Sequence, residues 1–461
     1  EKCEKFESDC ITKTIAATES FAVIIWVTRR FIFFVLTLRI TKKLRGCVCL
    51  HTGLPNLAAS FVWKGQIKIM EEKEKLWTYW SYAAIWLGAG VSIAEILTGT
   101  LFAPLGFVSG IKAILSGHLI GCVMLFLTGM IGAKAHKSAM ESVRMSFGSI
   151  GKNIFLALNV MQLVGWTAVM ISSGARAAAA VSHISFATWA VLLACLIMFW
   201  TVAGVKNIEK MNTVIIITLF ALTLMLAFTV FSSDAVSALS DAEISFGTAM
   251  ELSAAMPLSW LPLISDYTMH AKRPAAASAV CTVSYFISST WMYVIGMSAA
   301  IFTGENEIAA IMLKAGFGLL ALFIIIASTV TTTFLDAYST GVCCVPSGDR
   351  IREKCAGITC VAAGVVIALC VPVERFEDFL CLISSVFAPM CAVQLTDFFL
   401  LKRDISHRKF DTVNFVVWLG GFIAYRYFLT AETPIGSTVP AMLVTALLRA
   451  AAGILLRQPL R

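Results

Sequence analysis

A single acidic residue stands inside a long apolar stretch at positions 82–105, and its chemistry is the first clue to function. The stretch reads YAAIWLGAGVSIAEILTGTLFAPL, with Glu95 near its middle and Gly88, Gly90 and Gly99 inside it. A carboxylate in hydrocarbon costs several kcal/mol unless it faces protein, water or a ligand. We interpret Glu95 as part of a binding site at the break of a discontinuous helix. The alternative is a structural carboxyl group that is protonated or hydrogen-bonded to a neighbouring helix.

A second group of polar side chains lies in the segment NVMQLVGWTAV. It contains Asn159, Gln162 and Trp166, and the four-residue spacing of the last two places an amide and an indole on one helix face. An amide beside an aromatic plane suits a flat heteroaromatic ligand, which needs stacking and in-plane hydrogen bonds together. Ordinary helix packing, with the amide bridging two helices, explains the pattern equally well.

A run of hydroxyl side chains occurs in the segment STVTTTFLDAYSTG at positions 328–341. Its members are Ser328, Thr331, Thr332 and Thr333, followed by Asp336. Hydroxyl and carbonyl oxygens are suitable ligands for a small hard cation such as sodium. Threonines in membrane helices also bond back to their own backbone, which is the alternative.

Composition assigns these segments to a membrane protein. Apolar residues make up 58% of the chain and charged residues 14%, and the mean hydropathy is +0.83, far from a soluble globular protein. The net charge of +8 comes from basic residues spread over short loops. We interpret them as topology signals in a lipid bilayer and predict no nucleic-acid partner. The 14 cysteines lack metal-ligand spacing, and we interpret them as small buried hydrophobes.

The chain from Met70 onward divides into apolar segments of spanning length, which predict one all-α domain of twelve transmembrane helices over residues 70–461. The predicted spans are 82–105, 108–132, 153–182, 186–204, 211–232, 247–268, 275–303, 316–342, 355–371, 378–401, 412–430 and 435–456.

Charge alternation between the loops predicts the orientation. Positive charges such as Lys134, Lys206 and Arg350 fall in alternate loops, and the loops between them carry acids such as Asp234 and Glu305. Because positive loops stay inside, both termini are predicted to be cytoplasmic, with the protein in the plasma (inner) membrane.

Residues 1–69 differ from the rest. Their most apolar segment, 21–38, carries Arg29 and Arg30 at its centre, and no methionine precedes Met70. We predict that the natural protein starts at Met70 and that residues 1–69 are leader sequence outside it. A genuine, poorly ordered extension with an interfacial helix is the alternative.

The sixth predicted span is irregular, like the first. Pro257 and Pro262 remove backbone donors inside it, and Ser259 and Trp260 lie between them. Irregular first and sixth spans, in corresponding positions of two halves, predict an inverted repeat with a binding site at the membrane midplane.

Six motifs make the chain resemble the nucleobase–cation symporters, the group of cytosine, allantoin and hydantoin permeases. The resemblance runs from Trp77 to Tyr427 and is strongest to the hydroxymethylpyrimidine transporters. The motifs are LTGTLFAPLG in the first span, SFG at 146–148, QLVGW at 162–166, SDY at 265–267, TTTFLDAYSTG in the eighth span and QLTDFFLLKRD at 394–404.

The resemblance implies two inverted five-helix repeats plus two further helices, discontinuous first and sixth helices, and alternating access coupled to sodium or protons. It also implies positions for the ligands. The sodium site would use Gly88 and Val91 carbonyls with Ser328, Thr331 and Thr332, and the substrate site would use Trp166, Gln162, Ser259, Trp260 and Thr333.

Four departures from the family pattern bear on the substrate. Gln162 is four residues before Trp166 instead of three, Thr333 stands in place of an asparagine, Pro257 stands in place of an aromatic residue of the sixth span, and Glu95 replaces a small polar residue. A carboxylate accepts hydrogen bonds from an amino group, which favours hydroxymethylpyrimidine or a related thiamine precursor over other pyrimidines. The alternatives are import of cytosine or another nucleobase, and, from another class, a channel or an integral membrane enzyme. We predict no enzyme activity, because the buried acids are single and dispersed, and no cofactor other than a coupling ion.

Overall fold

A computed structural model of the chain describes residues 78–203, 244–303, 318–345, 350–371 and 376–456, together with isolated positions between 217 and 228. Ser81–Arg461 forms one compact unit, and the preceding unit, Glu1–Trp80, is described only from Thr78. Residues 1–69, the predicted leader or extension, lie outside the described residues.

The described ranges contain helices and no strand. In chain order the helices are α1 (Tyr79–Gly90), α2 (Ile93–Thr100), α3 (Phe107–Ala135), α4 (Ala139–Ser182), α5 (Phe186–Ala203), α6 (Phe246–Leu258), α7 (Ile264–Thr268), α8 (Pro274–Thr303), α9 (Gly318–Cys344), α10 (Arg350–Cys370), α11 (Phe376–Leu395), α12 (Thr412–Ala431) and α13 (Thr438–Leu455). A short 3₁₀ helix at Ala103–Leu105 follows α2, and a π-helical turn at Thr396–Leu400 follows α11.

Nine described helices are long and apolar enough to cross a membrane, and the bent pair α1 and α2 would make ten. Large apolar side chains such as Phe199, Val416 and Leu447 are exposed on the outside of the bundle. The all-α membrane architecture predicted from the sequence is confirmed. The fifth predicted span, 211–232, falls largely outside the described residues, so the predicted count of twelve and the inverted repeat stay predictions.

The first span is broken, as predicted, and the chain bends by 47° between α1 and α2. Val91 and Ser92 are non-helical, and Ser92 adopts an extended conformation as the N-cap of α2. Its hydroxyl accepts a hydrogen bond from the backbone N–H of Glu95 at 3.3 Å. A side-chain cap of this kind satisfies one of the backbone donors that the start of a helix leaves open.

The sixth span is also interrupted. Helix α6 ends at Leu258, one residue after Pro257, and the chain turns through residues 259–263 before α7. With 13 residues, α6 rises only about 20 Å and cannot cross the hydrocarbon core alone. The two prolines explain the interruption, because neither ring nitrogen can donate to the helix ladder.

Two glycines let α3 approach α6 closely. Gly117 and Gly121 are four residues apart, so both face the same neighbour. A Cβ atom added to Gly121 would meet the ring of Pro257 and would lie 2.6 Å from the carbonyl oxygen of Ala254. Small residues at this spacing are typical of tightly packed membrane helices.

We expect Gly121→Ala to destabilise the protein by about 1–3 kcal/mol, because the added methyl group overpacks this contact. The measurement is thermal unfolding in detergent. Gly420→Ala is the matched control, since a Cβ there meets only Leu448 Cδ1 at 3.7 Å. Equal unfolding temperatures of the two variants would contradict the packing described.

Helix α4 consists of two helical segments that meet at Gly148, whose φ is 71° and whose ψ is -174°. The second segment ends at Ser182, where the third predicted span ends, and the first segment lies in the loop predicted before residue 153. The backbone of Arg408 and Lys409 crosses at this point, and Ile150 N donates to the Lys409 carbonyl at 2.8 Å. The predicted loop before residue 153 thus contains a short helical segment, and the chain after the π-helical turn packs against its end at Gly148.

Candidate functional site

A cavity lies where the two breaks meet α4 and α9. It contains about 400 Å³ of empty space, its open side included. Six residues predicted for the substrate or sodium sites line it, namely Glu95, Gln162, Trp166, Ser259, Trp260 and Thr332. The structure therefore brings together side chains from four predicted spans.

Glu95 lies in the first turn of α2 and is 1% exposed. Its Oε1 accepts a hydrogen bond from Tyr285 Oη at 2.8 Å, and its Oε2 forms a second hydrogen bond with Ser289 Oγ at 2.8 Å. Both hydroxyl groups belong to α8. The carboxyl group is thus held from one side by hydroxyl groups while it borders the cavity, so it can accept a hydrogen bond from a bound molecule.

Aromatic rings form one wall of the site. Trp260 packs edge-on against Trp86, with ring centroids 5.6 Å apart, and lies 6.2 Å from the ring of Tyr285. Trp166 approaches Phe379 with centroids 5.7 Å apart. These contacts fix the two indoles that line the cavity, which can supply flat apolar surfaces to a planar ligand.

Gln162 is oriented by two hydrogen bonds. Its Nε2 donates to the Ser259 carbonyl at 2.8 Å and to Asn159 Oδ1 at 3.2 Å. Among the described residues, the buried Oε1 of Gln162 and Nε1 of Trp166 have no hydrogen-bond partner. Burying such atoms unpaired is costly, so an acceptor and a donor remain available to a ligand.

The residues predicted to bind sodium lie at the junction of the first break and α9. Ser328 Oγ donates to the Val91 carbonyl at 3.1 Å, so two of the predicted ligands are in contact. Gly88 is buried in the last turn of α1. Thr332 Oγ1 has no partner among the described residues, whereas Thr331 Oγ1 bonds to the Ala327 carbonyl of its own helix at 2.8 Å. The oxygen-only donor set fits a small hard cation.

One predicted residue lies apart from the others. Thr333 is fully buried and is not among the side chains that line the cavity. It follows Thr332 by one residue, which rotates its side chain by about 100° around the helix. Thr332 faces the cavity, so Thr333 is directed elsewhere.

The structure adds two polar residues to the cavity that were not predicted for it, Ser92 and Asp336. Ser92 and Glu95 form an S-x-x-E pattern, which signals a helix start and would have located the break. Asp336 is 5% exposed and follows Thr332 by four residues, one turn further along the same face. That spacing would have been sufficient to include it.

Comparisons with known proteins identify the family of the chain. The chain matches the family of permeases for cytosine/purines, uracil, thiamine and allantoin over residues 69–431. It is 24% identical to the putative purine-cytosine permease YxlA of Bacillus subtilis (strain 168), over 69% of this chain and 75% of that protein. It is 23% identical to the cytosine permease of Escherichia coli (strain K12), over 73% of this chain and 81% of that protein.

A solved structure shows the same fold. It is that of Mhp1, a nucleobase-cation-symport-1 family transporter, in a closed conformation with bromovinylhydantoin bound. The TM-score is 0.68 at 19% identity, and the match covers 83% of this chain and 94% of that one. Together with the two permeases, this confirms the resemblance predicted from the sequence motifs. The chain belongs to the nucleobase–cation symporter family and is a membrane permease, not an enzyme.

Proposed function

We propose that this permease imports an aminopyrimidine, driven by an ion gradient. The observation that carries the proposal is one cavity that joins the Glu95 carboxyl group, the unpaired Gln162 amide oxygen and the indoles of Trp166 and Trp260. An aminopyrimidine fits these groups, because its planar ring can pack against the indoles while its N–H groups donate to the Glu95 carboxyl group and the Gln162 amide oxygen.

Cytosine and hydroxymethylpyrimidine both carry an amino group next to a ring nitrogen. Cytosine is favoured by the relatives named for it, and hydroxymethylpyrimidine by the replacement of a small polar residue with Glu95. We therefore propose cytosine, with hydroxymethylpyrimidine as the second candidate, and predict that both compete for one site.

Sodium is the proposed coupling ion. Val91 and Gly88 carbonyls with the hydroxyls of Ser328 and Thr332 would hold it between the first break and α9, and Thr331 would join them if its hydroxyl turned from its own helix. Sodium bound there would favour the conformation in which these elements are close, and so would prepare the cavity for its ligand. We propose the plasma membrane as the location, with both termini cytoplasmic, from the loop charges.

The test is uptake of labelled cytosine and hydroxymethylpyrimidine into proteoliposomes, with and without an inward sodium gradient. We expect saturable uptake of at least one, mutual competition, and faster uptake with the gradient. Non-saturable flux that ignores both the competitor and the gradient would instead indicate a channel and contradict the proposal.

Ser328→Ala tests the sodium site separately. Because it removes one proposed oxygen ligand, we expect the sodium concentration for half-maximal uptake to rise, with little change in pyrimidine affinity at saturating sodium. Ser339→Ala is the matched control, because Ser339 is also a buried serine of α9 and contacts Tyr267 instead. An identical sodium dependence of the two variants would place the ion elsewhere.

A further inference from the structure

Glu95 continues into a chain of hydrogen bonds that leads away from the cavity. Ser289 Oγ lies 2.8 Å from Glu95 Oε2 and 2.6 Å from His118 Nε2. On the other side of the imidazole, His118 Nδ1 lies 2.7 Å from Ser253 Oγ and 3.2 Å from the Ile114 carbonyl oxygen. The four side chains that these hydrogen bonds connect, those of Glu95, Ser289, His118 and Ser253, are all buried.

The protonation of His118 Nδ1 can be deduced from which of its neighbours can donate a hydrogen bond. A carbonyl oxygen only accepts, and that of Ile114 lies 2.7 Å from Ser253 Oγ, so the Ser253 hydroxyl donates to it. Nδ1 of His118 is close to the same carbonyl and to Ser253 Oγ, and both present lone pairs to it. Nδ1 therefore carries a proton.

The near side of the imidazole requires one more proton. Ser289 has a single hydroxyl hydrogen for two short contacts. If it donates to Glu95, His118 Nε2 must be protonated, and if it donates to Nε2, Glu95 must be protonated. A carboxylate facing a neutral imidazole would leave two acceptors in contact without a hydrogen between them. Each arrangement in which all contacts are hydrogen bonds therefore holds one proton more than an ionised Glu95 beside a neutral His118.

We infer that Glu95, Ser289 and His118 form a proton-binding site and that the permease carries this proton together with its aminopyrimidine. This inference rests on the proposed function and adds a proton to the ions that drive it. Without a ligand the proton belongs on Glu95, because separate buried charges are costly. When an amino group donates to Glu95, the carboxyl O–H bond breaks, Ser289 takes that proton and passes its own to Nε2. One N–H bond has then formed, and no proton has left the site.

Other titratable groups lie near the site, and none of those described is hydrogen-bonded to His118. Tyr285 donates to Glu95, and the ring of Tyr293 lies 4.7 Å from the His118 ring. The Cys122 thiol neighbours Glu95, and Asp336 borders the same cavity. Among the residues that the structure describes, the His118 imidazole is the one nitrogen base in this row of hydrogen bonds.

The test is accumulation of labelled cytosine in proteoliposomes with sodium equal on both sides and the lumen one pH unit more alkaline. If one proton accompanies each molecule, accumulation should rise about tenfold. We expect this increase to be lost in Ser289→Ala and in His118→Gln. Ser288→Ala should keep it, because the Ser288 hydroxyl bonds only to backbone carbonyls of its own helix, those of Ser284 and Tyr285.

Exchange of labelled for unlabelled cytosine, without any gradient, separates this inference from the proposed function. Wild-type protein and Ser288→Ala should both show this exchange, because exchange needs the substrate cavity and no net movement of protons. A wild-type protein that neither exchanges nor accumulates cytosine or hydroxymethylpyrimidine would overturn the proposed function. The proton site alone would be overturned if the wild-type protein exchanged cytosine but its accumulation of cytosine did not respond to the pH gradient. An equal response of accumulation in Ser289→Ala and Ser288→Ala would also overturn it.

Discussion

Replacing Glu95 with glutamine is expected to lower kcat/KM for aminopyrimidine uptake about tenfold to a hundredfold, because a hydrogen bond to a charged group contributes about 1.5–3 kcal/mol. Glutamine has the same shape and can still accept from Tyr285, but it cannot present an anionic oxygen to an amino group. The measurement is the initial uptake rate as a function of substrate concentration, normalised to the amount of protein in the membrane.

The control for this prediction is Glu251→Gln. Glu251 is also a buried glutamate in a membrane helix, at 2% exposure, but it lies outside the cavity. Its carboxylate accepts from Tyr425 and Thr438 hydroxyls and from the backbone N–H groups of Ser437 and Thr438. We expect this variant to be less stable with an unchanged KM. An unchanged KM and kcat in Glu95→Gln would remove Glu95 from the substrate site.

Replacing Trp166 with alanine is expected to weaken pyrimidine binding about tenfold to a hundredfold, because stacking of a base on an aromatic side chain contributes about 1–3 kcal/mol. Trp166→Phe should retain most of the affinity, since it keeps an aromatic face. The two variants therefore separate loss of stacking from loss of the indole N–H. Equilibrium binding of labelled cytosine to purified protein measures both.

Trp418→Ala serves as the comparison for general destabilisation. Trp418 is a buried indole whose Nε1 donates to the Val386 carbonyl at 2.9 Å, away from the cavity. We expect it to lower the unfolding temperature and leave the affinity of the folded protein unchanged. Equal affinities of Trp166→Ala and wild-type protein would show that Trp166 does not stack on the ligand.

Much of the site could be predicted because its residues break local rules. Glu95 is an acid in hydrocarbon, and the glycines around it and the prolines near Trp260 oppose a continuous helix. The helical repeat also placed Gln162 and Trp166 on one face, and both line the cavity. Each of these signals is contained within one segment, so a single sequence is sufficient to detect it.

The partners of Glu95 could not be predicted, because they depend on contacts between distant segments. Tyr285 and Ser289 lie 190 and 194 residues further along the chain. In sequence, α8 is an apolar helix with several serines, and those that bond to their own backbone, such as Ser288, look the same as Ser289. The repeat of the helix also explains why Thr332 faces the cavity and Thr333 does not. Register of this kind needs the neighbouring helices.

The central claim is that a flat ring occupies the cavity between the two helix breaks, with its amino group on Glu95. A cryo-EM structure of the protein with bound cytosine tests it most directly. We predict density for the ring against Trp166 or Trp260, with the amino group within hydrogen-bond distance of Glu95 and a ring or exocyclic N–H facing Gln162 Oε1. Cytosine bound outside this cavity, with Glu95 still held only by Tyr285 and Ser289, would contradict the account.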